Sequence, residues 1–349
     1  MRPPRILLAS AIALACLAPG APTLAGEPAV KLQVEINACN YSGDTSGIPD
    51  DTLTVIHRSS GGALKAKRTF DVSGAGFSVG CPGPRVRTGD RLELRTGAAK
   101  TLLRTFIVPA LTIATARAFD RVSGKAPGVT SVTVQVVICD VAFFGCTGSI
   151  EEAVSVNPST RKWTFTSPDE VKGGAYATVT WAKGGDKVSR TQRFAQLLVR
   201  PGSAMVVGVG RTSGIKEVVS LRRGDRLGSA NPRTTASATF SATIKRSGTP
   251  MKVKTGDVLS STIAGDATVT VFPTSLSQGV GGLEGTCRKN GAVTVMIRSA
   301  EGEVLFGYTP DVGTDGGWEL DVALPVGGIV EAFCATKAGD AIVRRITVS

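Results

Sequence analysis

Apolar and polar residues alternate with a period of two along most of the chain, in short runs bounded by glycine and aspartate. That alternation predicts half-buried β-strands. Near the C-terminus, Ala292 to Arg298 is one such run, Asp315-Gly316-Gly317 a turn, and Trp318 to Val322 a second run. After Gly327-Gly328 a third run, Ile329 to Ala335, leads to the turn Lys337-Ala338-Gly339-Asp340 and a last run, Ala341 to Val348. No long stretch has the 3.6-residue period of an amphipathic helix, so the expected fold class is all-β.

This stretch can be laid over three earlier ones. Thr52 to Ser59 matches Ala292 to Ser299, and Phe77 takes the place of Trp318. Trp163-Thr164-Phe165, Gly173-Gly174, Ala175 to Trp181 and Lys183-Gly184-Gly185-Asp186 follow the same plan. In a fainter third repeat Phe240 answers Phe77, and Val253 to Leu259 answers Val86 to Leu92. Phe77, Trp163, Phe240 and Trp318 are thus the expected core aromatics, recurring at intervals of roughly 80 residues, enough for a small sandwich with its own core.

The G-x-C or G-x-V opening, the D-x-G-x-W turn and strand, and the closing G-D turn resemble bacterial immunoglobulin-like repeats of secreted and cell-surface proteins. The resemblance covers residues 284–349, 34–113 and 130–200 best and 203–275 least. It implies tandem Ig-like β-sandwich domains in an elongated arrangement, and a scaffold of this kind carries many unrelated functions. The expected domains are 26–124, 129–200, 201–276 and 280–349, joined by short linkers at Ser123 to Gly128, Arg200-Pro201-Gly202 and Ser275 to Gly282.

Residues 1–25 have the form of a secretion signal. Arg2 and Arg5 precede an apolar run from Ile6 to Ala18, and Thr23-Leu24-Ala25 is a small-residue cleavage site. A lipoprotein cysteine at Cys16 is the competing reading, although Ala13-Leu14 reverses the usual order before it. No later apolar stretch is long enough to cross a membrane as a helix. The expected location is therefore extracellular, cell-surface or periplasmic.

Export makes the cysteines candidates for disulfides. Beyond Cys16 there are six, which could pair in 15 ways. With each of the first, second and fourth domains holding two, the expected pairs are Cys39 with Cys81, Cys139 with Cys146, and Cys287 with Cys334. A zinc site is poorly served, because there is no C-x-x-C and His57 is the only histidine.

The chain carries a formal net charge of +12. The first three repeats are net positive and the stretch from 277 is net negative. A basic body suits anionic polysaccharide or another polyanion, while dispersed basic residues on strands also serve simply as solvated faces. Opposite charge at the two ends, and a free segment Gly26 to Val30 able to add to a sheet edge, suit self-assembly.

Catalytic chemistry finds little to build on. His57 aligns with Ile297, which marks a strand position rather than a general base. Asp50-Asp51, Glu151-Glu152 and Asp169-Glu170 are neighbours, and neighbours on a strand point to opposite faces. No cofactor is expected. Calcium is the one metal that irregular loop oxygens would suit, at Asp44, Asp50 and Asp51 or at Asp311 and Asp315, although no calcium loop motif is present.

Gly208 to Gly214 lies in β context and reads as a glycine-rich strand rather than a dinucleotide fingerprint. Arg223-Gly224-Asp225, an adhesion-type tripeptide, is expected to be a turn like Thr88-Gly89-Asp90 and Thr255-Gly256-Asp257. Aromatics are only 5% of residues. With Trp181 expected in the core, Tyr176 and Tyr308 remain as surface candidates, too few for a sugar platform or a single-strand nucleic-acid binder. The expectation is a non-enzymatic exported protein with a structural, adhesion or assembly role at the cell surface, partnered by a surface protein or by itself. A binding module for anionic or sugar polymers is the alternative, and an enzyme with its site in unrecognised loops the third reading.

Overall fold

The computed structural model describes residues 30–46, 48, 52–71, 76–81, 83–141, 144–210, 214, 216–235, 238–262, 267–289 and 291–349. The secretion signal with Cys16, the segment from Gly26 to Ala29, Asp50, Asp51 and residues 211–213 lie outside the described residues.

The protein is an all-β, sandwich-type fold whose strands fall into four successive sets with one plan. In set one, Lys31–Glu35, Tyr41–Asp44 and Gly76–Val79 form a three-stranded layer, and Thr52–Arg58, Leu64–Asp71, Arg91–Thr96 and Thr101–Ile107 a four-stranded layer. Set two has Thr112–Ala116, Arg121–Lys125 and Lys162–Thr166 against Ser131–Val141, Phe144–Ser155, Tyr176–Lys183 and Asp186–Arg193. Set three has Gln196–Val199, Met205–Val209 and Thr239–Thr243 against Val219–Arg223, Arg226–Ala230, Val258–Ser261 and Ala267–Thr270. Set four has Ser275–Gln278, Gly282–Thr286 and Gly317–Asp321 against Ala292–Arg298, Val304–Tyr308, Ile329–Ala335 and Ala341–Thr347. Within every four-stranded layer the spatial order is second, first, third, fourth, so the topology itself repeats.

One cross-strand contact recurs in every set. Each marker aromatic is the cross-strand partner of a glycine: Phe77 of Gly43, Trp163 of Gly124, Phe240 of Gly208 and Trp318 of Gly285. The ring lies where a side chain on the glycine would go; a Cβ at Gly43 would sit 2.5 Å from Phe77, and one at Gly124 2.7 Å from Trp163. All four aromatics are buried, as the pattern predicts.

Three strands depart from the layout expected from the sequence. Arg121–Lys125, read as the edge of a linker because of its Ser-Gly content, is a central strand bonded on both sides to Thr112–Ala116 and Lys162–Thr166. The pairing therefore passes from set one to set two near residue 108 rather than at 124. Likewise Gln196–Val199, expected in the second domain, pairs with Met205–Val209 of set three, and Ser275–Gln278, expected as linker, pairs with Gly282–Thr286. The polar stretch after Gly224 supplies the strand Arg226–Ala230, paired with Val219–Arg223, so set three is built like the others.

The layers do not stay separate between sets. Lys31–Glu35 runs parallel to Asp186–Arg193, with Gln33 opposite Lys187, which joins set one and set two in a single seven-stranded sheet. Gln196–Val199 runs parallel to Ala341–Thr347, with Leu198 opposite Ala341, and joins set three to set four in the same way. Each junction covers two strand edges that would otherwise present unpaired backbone groups. The main buried apolar clusters follow this division: one runs from Val30 to Phe194 and the other from Ala195 to Val348. The simple expectation of four independent cores gives way to two sheet-continuous pairs.

Candidate functional site

Four Gly-Asp turns organise the polar chemistry. Gly89, Gly185, Gly256 and Gly339 all have φ between 80 and 86°, a conformation that costs glycine little. The aspartate that follows each one, Asp90, Asp186, Asp257 or Asp340, is buried. A buried carboxylate requires donors, and the four find them in two ways.

In sets one and three the donors are local. Asp90 accepts the Arg87 amide at 2.8 Å, Lys65 Nζ at 2.6 Å and bonds His57 Nε2 at 2.9 Å. Asp257 accepts the Lys254 amide at 2.7 Å and Arg223 Nε and Nη2 at 2.7 and 2.6 Å. Burial works against ionisation of both, yet the cations and amides outweigh it and hold each carboxyl below its usual range. The Asp257 bonds raise Arg223 in turn.

In sets two and four the donors come from elsewhere in the chain, and the carboxylate becomes a clamp. Asp186 accepts the Leu32 amide at 2.9 Å and Arg104 Nη2 at 2.5 Å, while Arg104 Nη1 donates to Val30 O at 2.8 Å. Asp340 accepts the Leu197 amide at 2.8 Å and both Arg117 Nη atoms at 3.0 and 2.9 Å, while Arg117 Nη1 donates to Ala195 O at 2.9 Å. The two clamps are the same construction, with the carbonyl two residues before the bonded amide in each case. Their arginines differ in origin: Arg104 belongs to a strand of set one and Arg117 to a single 3-10 turn, Arg117–Phe119, in set two.

Because Arg117 lies in set two and Asp340 in set four, this clamp also ties the first pair to the second. Gly173 N donates to Ala338 O at 3.0 Å beside it, and Gln196 Nε2 donates to Gly339 O at 2.5 Å. A Cβ on Gly339 would meet Lys172 Cβ at 2.7 Å. Burial pushes the Asp340 carboxyl up, and Arg117 with the Leu197 amide pulls it back.

A cleft of ≈ 460 Å³ opens next to this contact, lined by Lys172 and Glu170 from set two and by Arg288, Lys289, Thr336 and Lys337 from set four. Among the described residues no ion pair involves any of the four cations. Sequence reasoning missed this cleft, since dispersed basic residues gave no sign that two sets would bring theirs together.

The residues singled out from sequence lie apart from one another. His57 is 0% exposed, packs edge-on against Tyr41, and occupies the ladder position held by Leu221 in set three and Ile297 in set four. A general base must reach a substrate proton, and a sealed ring does not. Burial lowers its proton affinity, opposed by the bond to Asp90.

Glu151 and Glu152 are exposed on a strand, and Asp169 and Glu170 are exposed in a loop. Asp44 and Asp315 cap the turn amides of Ser46 and Gly317. Asp311 and Asp315 line one polar cleft, but no group of three metal-ligating side chains occurs among the described residues.

Arg223-Gly224-Asp225 is a hairpin turn whose arginine is turned onto Asp257. Trp181 is buried and donates to Pro127 O at 2.8 Å. Tyr176 and Tyr308 are half-buried, the first beneath Arg193 and the second beside Phe306. Cysteine Cα atoms stand 5.4 Å apart for Cys39 and Cys81, 4.1 Å for Cys139 and Cys146, and 5.6 Å for Cys287 and Cys334, each pair with bonded sulfurs.

No protein-family model and no curated protein matches the chain. Among solved structures it is similar to a tetra-tandem repeat in the extending region of a large adhesion protein, 15% identical over 92% of this chain and 99% of that one, with a TM-score of 0.18. It is similar to the BSP domain of a biofilm associated protein, 8% identical over 92% of this chain and 95% of that one, with a TM-score of 0.19. A trypsin-activated alpha-2-macroglobulin from Escherichia coli is 13% identical over 93% of this chain and 31% of that one, with a TM-score of 0.18. Superpositions at these scores add nothing to the sheet pairing above. In the described residues no helix is long and apolar enough to cross a membrane.

Proposed function

We propose that this chain is an exported, non-enzymatic structural component of the cell surface, serving as a spacer, adhesion or assembly element built from four immunoglobulin-like sandwiches locked in two pairs. The observation that carries this reading is the duplicated junction: a strand-to-strand seam closed by a buried Arg-Asp clamp. A seam with continuous backbone hydrogen bonds resists bending and pulling as a flexible linker does not. Two of the four buried Gly-Asp carboxylates, Asp186 and Asp340, bond residues of another set and so hold repeats together. Three disulfides suit export to an oxidising compartment.

Calorimetry of the full chain tests the paired organisation. Two cooperative transitions are expected, each lowered by loss of the clamp that closes its own pair; four independent transitions would overturn it. Protease shaving of intact source cells and attachment assays on a deletion strain test the surface role, which an inaccessible chain or unchanged attachment would sink.

A second reading rests on the cleft of Lys172, Arg288, Lys289 and Lys337. Four cations around one opening suit a sulfated or carboxylated polymer. Binding to such a polymer is expected to weaken steeply with salt and in Lys172→Gln/Lys337→Gln, whereas salt-insensitive or unchanged binding would remove the reading.

A further inference from the structure

The two seven-stranded sheets are register-matched strand for strand, and their outer faces differ in chemistry. In the second sheet Leu198, Val207, Met296, Phe333 and Val343 lie side by side across the seam and form an apolar floor. At the equivalent ladder positions the first sheet carries Gln33, Ser42, Gln135, Thr180 and Ser189. The fold therefore does not require an apolar surface there. One pair has it and its structural duplicate does not.

That floor lines a groove of ≈ 200 Å³, with Met205, 46% exposed, at its open end. Its rim is polar and carries excess positive charge. Arg200 Nη2 donates to Glu331 Oε1 at 2.8 Å, and Arg298 Nε reaches the other oxygen of the same carboxylate at 3.5 Å, so two guanidiniums share one acid. An apolar trough with a few oriented polar groups at one side is the usual build of a small-ligand site. We infer that this groove binds a single-chain aliphatic carboxylate, its tail on Leu198, Met296 and Phe333 and its head at Arg200 and Arg298. A groove of this size suits a single aliphatic tail. Methionine on the floor and at the mouth gives the wall an adaptable surface for a flexible chain.

The test is calorimetric titration of the full chain with decanoate, in parallel with decanol and decyltrimethylammonium. Saturable binding of decanoate is expected, with the other two at least about tenfold weaker because they lose the guanidinium contacts. Met296→Gln/Phe333→Thr gives the floor the residues of the first sheet and is expected to weaken decanoate by about tenfold or more. Arg200→Gln/Arg298→Gln leaves the floor intact and is expected to abolish the preference for decanoate over decanol. In the unaltered chain, a diazirine-bearing decanoate is expected to label the peptides containing Met205 or Met296, in competition with decanoate. Absence of saturable decanoate binding, equal affinity for the cationic amphiphile, undiminished binding by a natively folded Met296→Gln/Phe333→Thr, or labelling confined to other peptides would each overturn the assignment.

Discussion

Gly285 and Trp318 face each other across neighbouring strands so closely that a Cβ on the glycine would lie 2.5 Å from the indole ring. The same pairing recurs at Gly43 with Phe77, Gly124 with Trp163 and Gly208 with Phe240, once in each set. Gly285→Ala is expected to destabilise set four by about 1–3 kcal/mol through overpacking. Gly307→Ala, on a strand where a Cβ meets nothing within 4 Å, is the control and should change stability by no more than about 0.5 kcal/mol. Urea unfolding of the two variants checks the contrast; equal losses would mean that strand glycine content, not close packing against Trp318 and the Ser275 carbonyl, matters.

Arg117→Ala leaves the Asp340 carboxylate, which is 0% exposed, without its cation. Breaking one half of a buried pair costs about 3–5 kcal/mol, so the second apparent melting transition should fall markedly. Arg104→Ala should act on the first pair in the same sense, with a smaller effect because its guanidinium is more exposed. Double Arg117→Ala/Asp340→Asn should recover part of the loss, as no unpaired charge remains.

Stability should decline on mild acidification through His57. Burial holds the native imidazole below its ordinary value, so the unfolded chain binds the proton first as pH falls through about 6.5. The loss continues until the native ring also protonates. Asp90, held below the usual carboxylate range, adds a further loss under about pH 4 as the unfolded carboxyl protonates first. His57→Leu, the residue that set three carries at Leu221, should flatten the slope between pH 7 and 5 while leaving the acid limb. An unchanged slope in denaturant titrations at those pH values would mean that His57 is not the titrating group.

Reduction should affect the disulfides unequally. Cys287–Cys334 and Cys39–Cys81 close loops with sequence separations of 47 and 42, against 7 for Cys139–Cys146. Loop-closure entropy then assigns roughly 4 kcal/mol to each of the first two and roughly 2 to the third. Paired Cys→Ala variants compared by denaturant midpoint test the order, and a larger loss for the short hairpin would contradict it.

By itself the sequence determined the strands and the repeat. Two-residue alternation marks the Ala292–Arg298 and Tyr176–Lys183 strands, and the recurrent aromatics mark one core position in each set, because burial of alternate side chains is written directly in residue order. His57 could likewise be read as a strand residue from its alignment with Ile297. Of the glycines opposite the aromatics, Gly124 fell within an expected linker, since a close approach between strands leaves no mark except the missing side chain.

Only the tertiary structure decided how the sets join. Asp186 and Asp340 sit in turns that look alike along the chain, yet each bonds an amide more than 140 residues away. Arg104 and Arg117 perform one role from unrelated sequence positions. Neither alternation nor local turn chemistry records which edge strand meets which, so the two clamps, the basic cleft and the apolar groove exist only once the sets are brought together.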